Sequence, residues 1–214
     1  LSSEERQWRT AQEALRFLLE GDITIERQGP RVTISSASAT WRPEALERSL
    51  AYLNERTGLG RQIDPFERSA GTSWIILSQL LAILGQNLLA LDVSLRYLRV
   101  CYDLQDQHQR RMHKGGPLFC VSQRYREVGE INLARGFTLL AFVEDCKAYE
   151  NPREAPAYSQ LLSVFRFSPD LLEGLIDFAT RQEPFPQFPE EILLEWELSN
   201  APALPKPRTA RRGA

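Results

Sequence analysis

Histidine, methionine, lysine and cysteine are all scarce in this chain of 214 residues: two histidines, one methionine, three cysteines, and lysine only at Lys114, Lys147 and Lys206. His108 and His113 lie five positions apart, which does not put them on one helical face as an i, i+4 pair would, so no metal site is expected. Cys101, Cys120 and Cys146 form no CxxC pair and are odd in number, which argues against a disulfide framework and against structural zinc. The expectation is buried, reduced thiols in a cytoplasmic protein. No apolar run reaches about 18 residues, so no membrane-spanning helix is expected. A net charge of -2 argues against a wholesale polyanion binder. Neither common glycine-rich phosphate loop is present, and no cofactor is expected. The Arg-His spacing of helical ribonucleases is missing too, because Arg99 is too far from His108 while Arg110 and Arg111 are too close to His113. A cysteine nucleophile at Cys101 or Cys120 would need a histidine brought to it in space, and nothing local supports that.

What is present is the composition of a soluble globular chain, 43% hydrophobic and 25% charged, enough for a sizeable core in one domain or two. Leu1 in place of methionine leaves two readings, a fragment or an alternative start codon. The excess of arginine over lysine suggests a GC-rich bacterial genome.

Ser2 and Glu5 have capping-box spacing, and Trp8, Ala11, Leu15 and Leu18 follow at helical intervals up to Gly21. A helix is predicted from about Ser3 to Glu20. Ile23 and Ile25, then Val32 and Ile34, alternate with polar residues on either side of Gln28-Gly29-Pro30, which predicts a β-hairpin. Ser35 to Thr40 reads as a connector. A second helix opens near Pro43, buries Leu46, Leu50 and Leu53, and ends at Gly58. Leu59 to Ala70 reads as a polar loop. From Thr72 onward the apolar patterns are helical.

Sliding the chain along itself exposes a repeat. Trp74, Leu77, Ser78, Gly85 and Ala90 are answered 44 positions on by Leu118, Val121, Ser122, Gly129 and Ala134. Each unit predicts a first helix, a tight glycine turn, and a second helix carrying a small alanine where the backbones meet. Ala90, Ser94 and Tyr97 in one unit, and Ala134, Thr138 and Ala141 in the next, should be buried. A weaker third unit starts at Tyr158-Ser159-Gln160, with a second helix opening at Ser168-Pro169-Asp170. In the first unit the second helix is expected to run on through residues 103–114, protruding as a polar end, until Gly115-Gly116 stops it.

The pattern resembles the tetratricopeptide repeat (TPR). Trp74, Leu77, Ser78, Gly85 and Ala90 match that family's positions in one unit, and Ser122, Tyr125, Gly129, Ala134 and Ala141 in the next. The interval here is longer than the family's roughly 34 residues, Phe137 falls one residue early, and no proline closes a unit at the expected place. The resemblance implies stacked antiparallel helical hairpins, a TPR-like α-solenoid, which together with the N-terminal β-hairpin makes the chain mainly α. It divides as an N-terminal helix, hairpin and helix over 1–60, a TPR-like repeat domain over 61–198, and a disordered basic tail over 199–214.

The resemblance further implies a non-catalytic module that binds a peptide or protein partner in a concave groove lined by first helices. By position Gln79, Ala82, Gln123, Arg126 and Glu127 would line it, with the two glutamines as equivalent polar groups. The cluster His108, Arg110, Arg111, His113 and Lys114 has two readings. It is either charge favoured at a helix C-terminus, or a patch in which Arg110, Arg111 and Lys114 contact an acidic partner or nucleic acid. Glu144-Asp145 reads as a solvated helix end. Pro184 to Pro189 is extended, tethered by Phe185 and Phe188. It leads into a short helix anchored by Ile192, Leu193 and Trp196 that covers the end of the stack. Two alternatives are a helical sensor or regulatory domain of a larger enzyme or transcriptional regulator, and a nucleic-acid binder using the basic cluster and tail. The first helix and hairpin could also close a winged helix-turn-helix, with Arg6, Arg9 and Arg16 towards DNA.

Overall fold

The computed structural model describes residues 2–21, 23–28, 31–36, 40–57 and 71–200. The turn at Gly29-Pro30, the helix stop at Gly58, the loop over 59–70 and, of the tail expected over 199–214, all but its first two residues lie outside the described residues; those two residues are helical, not disordered. Nine α-helices and four short strands are present among the described residues, so the chain is mainly helical with one small β-hairpin. No helix among them is long and apolar enough to cross a membrane.

Helix α1 (Ser3–Leu18) begins with a complete capping box: the Glu5 N–H donates to Ser2 Oγ and the Ser2 N–H to the Glu5 carboxylate. It buries Ala11, Ala14, Leu15 and Leu18. Strand β1 (Leu19–Glu20) replaces its expected last turn and pairs with β4 (Thr40–Trp41), which narrows the expected connector. Between them β2 (Ile23–Gln28) and β3 (Arg31–Ser36) form the hairpin, with Ile25 opposite Ile34. A single 3-10 turn over Pro43–Ala45 leads into α2 (Leu46–Arg56), whose buried Ser49 donates to the Ala14 carbonyl of α1.

The helices α3 (Thr72–Ile83), α4 (Asn87–His108), α5 (Gly115–Glu127) and α6 (Ile131–Asp145) occupy the repeat. Then come α7 (Pro156–Ser163), α8 (Pro169–Thr180) and α9 (Pro189–Asn200). Helix α1 packs on α2 and α3, α3 on α4 and α5, α4 on α5, α5 on α6, and α6 on α7, α8 and α9. Two apolar clusters result. One joins α1 to α4 and includes Trp74, Leu77, Leu81 and Tyr97. The other runs from Leu98 of α4 to Ile192 of α9.

The sequence repeat is a repeat of hydrogen bonds. Ser78 Oγ lies 3.0 Å from the Ala90 carbonyl oxygen and 2.7 Å from Ser94 Oγ, which is itself 2.9 Å from that carbonyl. Forty-four positions on, Ser122 Oγ lies 2.9 Å from the Ala134 carbonyl and 2.5 Å from Thr138 Oγ1, itself 2.8 Å from that carbonyl. Each hydroxyl has one proton, so two protons serve three close contacts in either clasp. The small Ala90 and Ala134, both wholly buried, let the paired helices come this close. Gly85 and Gly129 hold φ at 76° and 86°, the left-handed region that reverses the chain in so short a turn.

The expected third unit has its two helices, α7 and α8, but they pack mainly against α6 and not in the expected register. Ser159 is exposed, and the buried Gln160 reaches back into the second clasp, its Nε2 3.3 Å from Ser122 Oγ and 3.2 Å from Thr138 Oγ1. In the first clasp the corresponding visitor is Cys120, whose Sγ lies 3.4 Å from Ser94 Oγ. The structure therefore equates Gln160 with Cys120, and the serine correspondence fails there. The expected start of α8 does hold, since Ser168 Oγ accepts from the Leu171 N–H ahead of Pro169.

Helix α4 is also shorter than expected. It ends at His108, where Gln109 takes up a left-handed backbone (φ 48°), so the expected run through residue 114 is cut short. Gly115 and Gly116 start α5 instead of stopping α4. A Cβ on Gly115 would lie 2.0 Å from Asp145 Oδ1, so the close approach of that carboxylate requires glycine.

Candidate functional site

The chain between α4 and α5 folds back into the protein and carries its charges with it. Lys114 is wholly buried. Its Nζ donates to Gln105 Oε1 at 2.7 Å and to the Met112 carbonyl at 2.7 Å, and stands 3.4 Å from Glu144 Oε1. Burial lowers its pKa from the ordinary lysine value, the attraction of Glu144 opposes that, and the nearby Arg111 adds to it. Arg111 Nη2 meets the other oxygen of Glu144 at 2.6 Å, and its guanidinium lies 4.3 Å from the centre of the Phe185 ring.

The segment before α9 is bound into the same network. Arg111 Nε donates to the Pro186 carbonyl, and both Gln105 Nε2 and Lys114 Nζ donate to the Gln187 carbonyl. Phe188 stacks on Tyr102 of α4 at 5.6 Å. Phe185 and Phe188 thus tether the segment, and Ile192, Leu193 and Trp196 pack into the second cluster.

Glu144 and Asp145 are both buried, so the expectation of a solvated helix end is corrected. They end the apolar run Leu139 to Val143, and a helix end that must pack carries its carboxylates inside. Glu144 is shared by Arg111 and Lys114 as an ion-pair partner. Asp145 Oδ1 lies 3.0 Å from His113 Nε2.

His113 and Asp145 line a cavity of about 250 Å³, walled by Ile75, Tyr97, Met112 and Phe119. The Tyr97 ring stacks on Trp74 at 5.7 Å, and burial raises the Tyr97 phenol well above its ordinary pKa. With one imidazole nitrogen held by Asp145, the arrangement can orient one polar group of a small ligand against apolar walls. No group of three or more histidine, cysteine or acidic side chains that could hold a metal occurs among the described residues.

The residues expected from sequence to act together are scattered. Gln79 is exposed and Ala82 half-buried on α3. Gln123, its counterpart on α5, is half-buried and donates to Gln160 of α7, so the two glutamines do not do the same work. Arg126 is half-buried, and Glu127 accepts from Arg124 at 3.0 Å. In the basic cluster Arg110 is exposed, Arg111 half-buried and Lys114 buried, so these three do not form one outward patch. His108 is exposed at the end of α4, and His113 pairs with an aspartate, not a cysteine.

Sequence reasoning missed Gln105, Glu144 and the His113–Asp145 pair. The available signal was two adjacent acids directly after a strongly apolar helix.

No protein-family model, curated protein or solved structure matches this chain.

Proposed function

We propose that the chain is a non-catalytic protein-interaction module built from TPR-like helical hairpins. The observation that carries this reading is the buried hydroxyl clasp, which recurs with the same donors, acceptors and glycine turn 44 positions on. Such a recurrence is what stacked units produce, each covering its neighbour's open face, and such stacks present extended surfaces to partners. The reach of Cys120 and Gln160 into the preceding clasp supports the stacking. On this reading Gln79 and Ala82 offer the accessible part of a first-helix surface, with Gln123 committed to α7.

The test is a purified complex. A protein or peptide that co-purifies in fixed stoichiometry should be lost on Gln79→Arg with Ala82→Arg, while the unfolding midpoint stays unchanged. Equal retention by the double variant overturns the first-helix surface. Absence of any stoichiometric partner overturns the module.

A second reading, a helical sensor domain, is favoured by the cavity at His113 and Asp145. It would take a small ligand with one polar end. A screen of small molecules by thermal shift, repeated on His113→Ala, separates it from the first. The nucleic-acid reading loses support from the burial of Lys114 and the pairing of Arg111 with Glu144.

A further inference from the structure

A shallow apolar groove of about 340 Å³ runs between α6 and α9. Its floor is Leu133, Gly136, Phe137 and Leu140 from α6, with Leu193 and Leu194 from α9. Leu133 is 46% exposed and Leu194 59%, so the groove leaves large apolar side chains in water.

Gly136 sits in the interior of α6, where glycine costs a helix about 1 kcal/mol relative to alanine. Apart from its chain neighbours and the backbone of its own helical turns, no atom lies within 4 Å of where its Cβ would be, so no packing neighbour requires the missing methyl. What glycine does provide is bare backbone on the groove floor, open to close approach from outside.

The rim is acidic. Glu190 and Glu197 line the groove. Among the described residues Glu190 receives only the neutral Tyr102 hydroxyl, at 3.3 Å. Neither carboxylate has a lysine or arginine in ion-pair contact among the described residues.

We propose that this groove is a docking site for an amphipathic helix of another protein, one whose apolar stripe is flanked by lysine or arginine. Apolar floor, bare glycine backbone and unneutralised carboxylates together fit that occupant. Both walls are helices, so no strand edge is offered and a helix is the complementary shape. Twelve residues of α9 span about 18 Å, room for roughly three turns of a partner helix. The assignment rests on the interaction-module reading and adds a second surface, away from Gln79.

Two synthetic 14-residue peptides with the same leucine stripe, one with lysine flanks and one with glutamate flanks, test it by fluorescence anisotropy on the full chain. The lysine peptide should bind at least about tenfold more tightly, and raising salt from about 50 to about 300 mM should weaken it. Gly136→Trp should abolish binding, whereas Gly136→Ala should leave the fold intact with an equal or higher unfolding midpoint. Glu190→Lys with Glu197→Lys should reverse the peptide preference. Equal binding of the two peptides, or full binding by Gly136→Trp, overturns the proposal. Self-association that Gly136→Trp removes would assign the groove to a second copy and overturns it too. So does a large gain in peptide affinity on deleting residues 201–214, which would make the chain's own basic end the occupant. A stoichiometric partner lost on Gln79→Arg but indifferent to Gly136→Trp would remove the groove and leave the module standing.

Discussion

Lys114 Nζ and Glu144 Oε1 face each other at 3.4 Å with both side chains wholly removed from solvent. Glu144 is the counterion shared by Lys114 and Arg111. Glu144→Leu therefore strands two cations, and removing one partner of a buried pair costs about 3–5 kcal/mol. Lys114→Met should cost less, because Glu144 keeps Arg111 and the Lys114 backbone N–H. Urea unfolding of the two variants gives the order, and a reversed order would contradict the shared-counterion arrangement.

The same lysine sets a pH dependence. Its folded pKa is lowered from 10.5, chiefly by burial. Between that lowered value and 10.5 the unfolded chain holds a proton that the folded chain has released. Stability contributed by this group rises with pH through that window and is smallest below it. Lys114→Met should remove this rise, so the stability gap between wild type and variant should change as pH rises towards 10.5 and level off above it.

The two clasps differ in what depends on them. Ser78→Ala should cost about 1 kcal/mol, the net worth of one buried hydrogen bond. Ser122→Ala should cost more, because Gln160 Nε2 also loses one of its two acceptors there. Thermal or chemical unfolding of both variants decides this, and equal losses would mean Gln160 contributes nothing to the second clasp.

Three glycines should answer alanine with opposite signs. Gly85→Ala and Gly129→Ala place a side chain at positive φ and should each cost about 1 kcal/mol, although no atom crowds either site. Gly136→Ala, in ordinary helix, should gain up to about 1 kcal/mol. Unfolding midpoints of the three variants test the contrast.

Burial pushes the Cys101 and Cys146 thiols up to about 12. At pH 8 their thiolate fraction is then about one part in ten thousand, and the thiolate is the reactive form. Thiol reagents should leave both unlabelled in the folded protein and label them on unfolding. Mass spectrometry of the folded protein after treatment reads this out, and rapid modification of either would contradict the burial.

Local signals in the sequence were sufficient wherever the physics is local. The Ser2–Glu5 capping box, the glycine turns and the 44-residue recurrence each involve residues a few positions apart, or a pattern repeated along the chain. The interior position of Lys114 was not legible, because a lysine beside His113 and two arginines has the look of a solvated cluster. Its counterion lies 30 residues away on another helix. The end of α4 was misread for a related reason. Gly115 is required by Asp145 packing against it, a distant neighbour that no local pattern reveals. At Ser159 the repeat invited a correspondence that the third unit does not keep, since the residue that enters the clasp is Gln160. Gln79 and Gln123 share a register, yet Gln123 donates to Gln160 of α7, whereas the α5 residue that enters the first clasp is Cys120, which carries no side-chain amide.

The bonds from Gln105, Arg111 and Lys114 to the carbonyls of Pro186 and Gln187 join stretches of chain more than 70 residues apart. Lifting α9 and the segment before it away would strip one amide and two cations of neutral acceptors, and Lys114 would stay in a poorly polarisable medium. Detachment is therefore coupled to loosening of the middle of the molecule. Amide protons of α4 near Gln105 and of α9 should exchange with solvent as one latch, opening together.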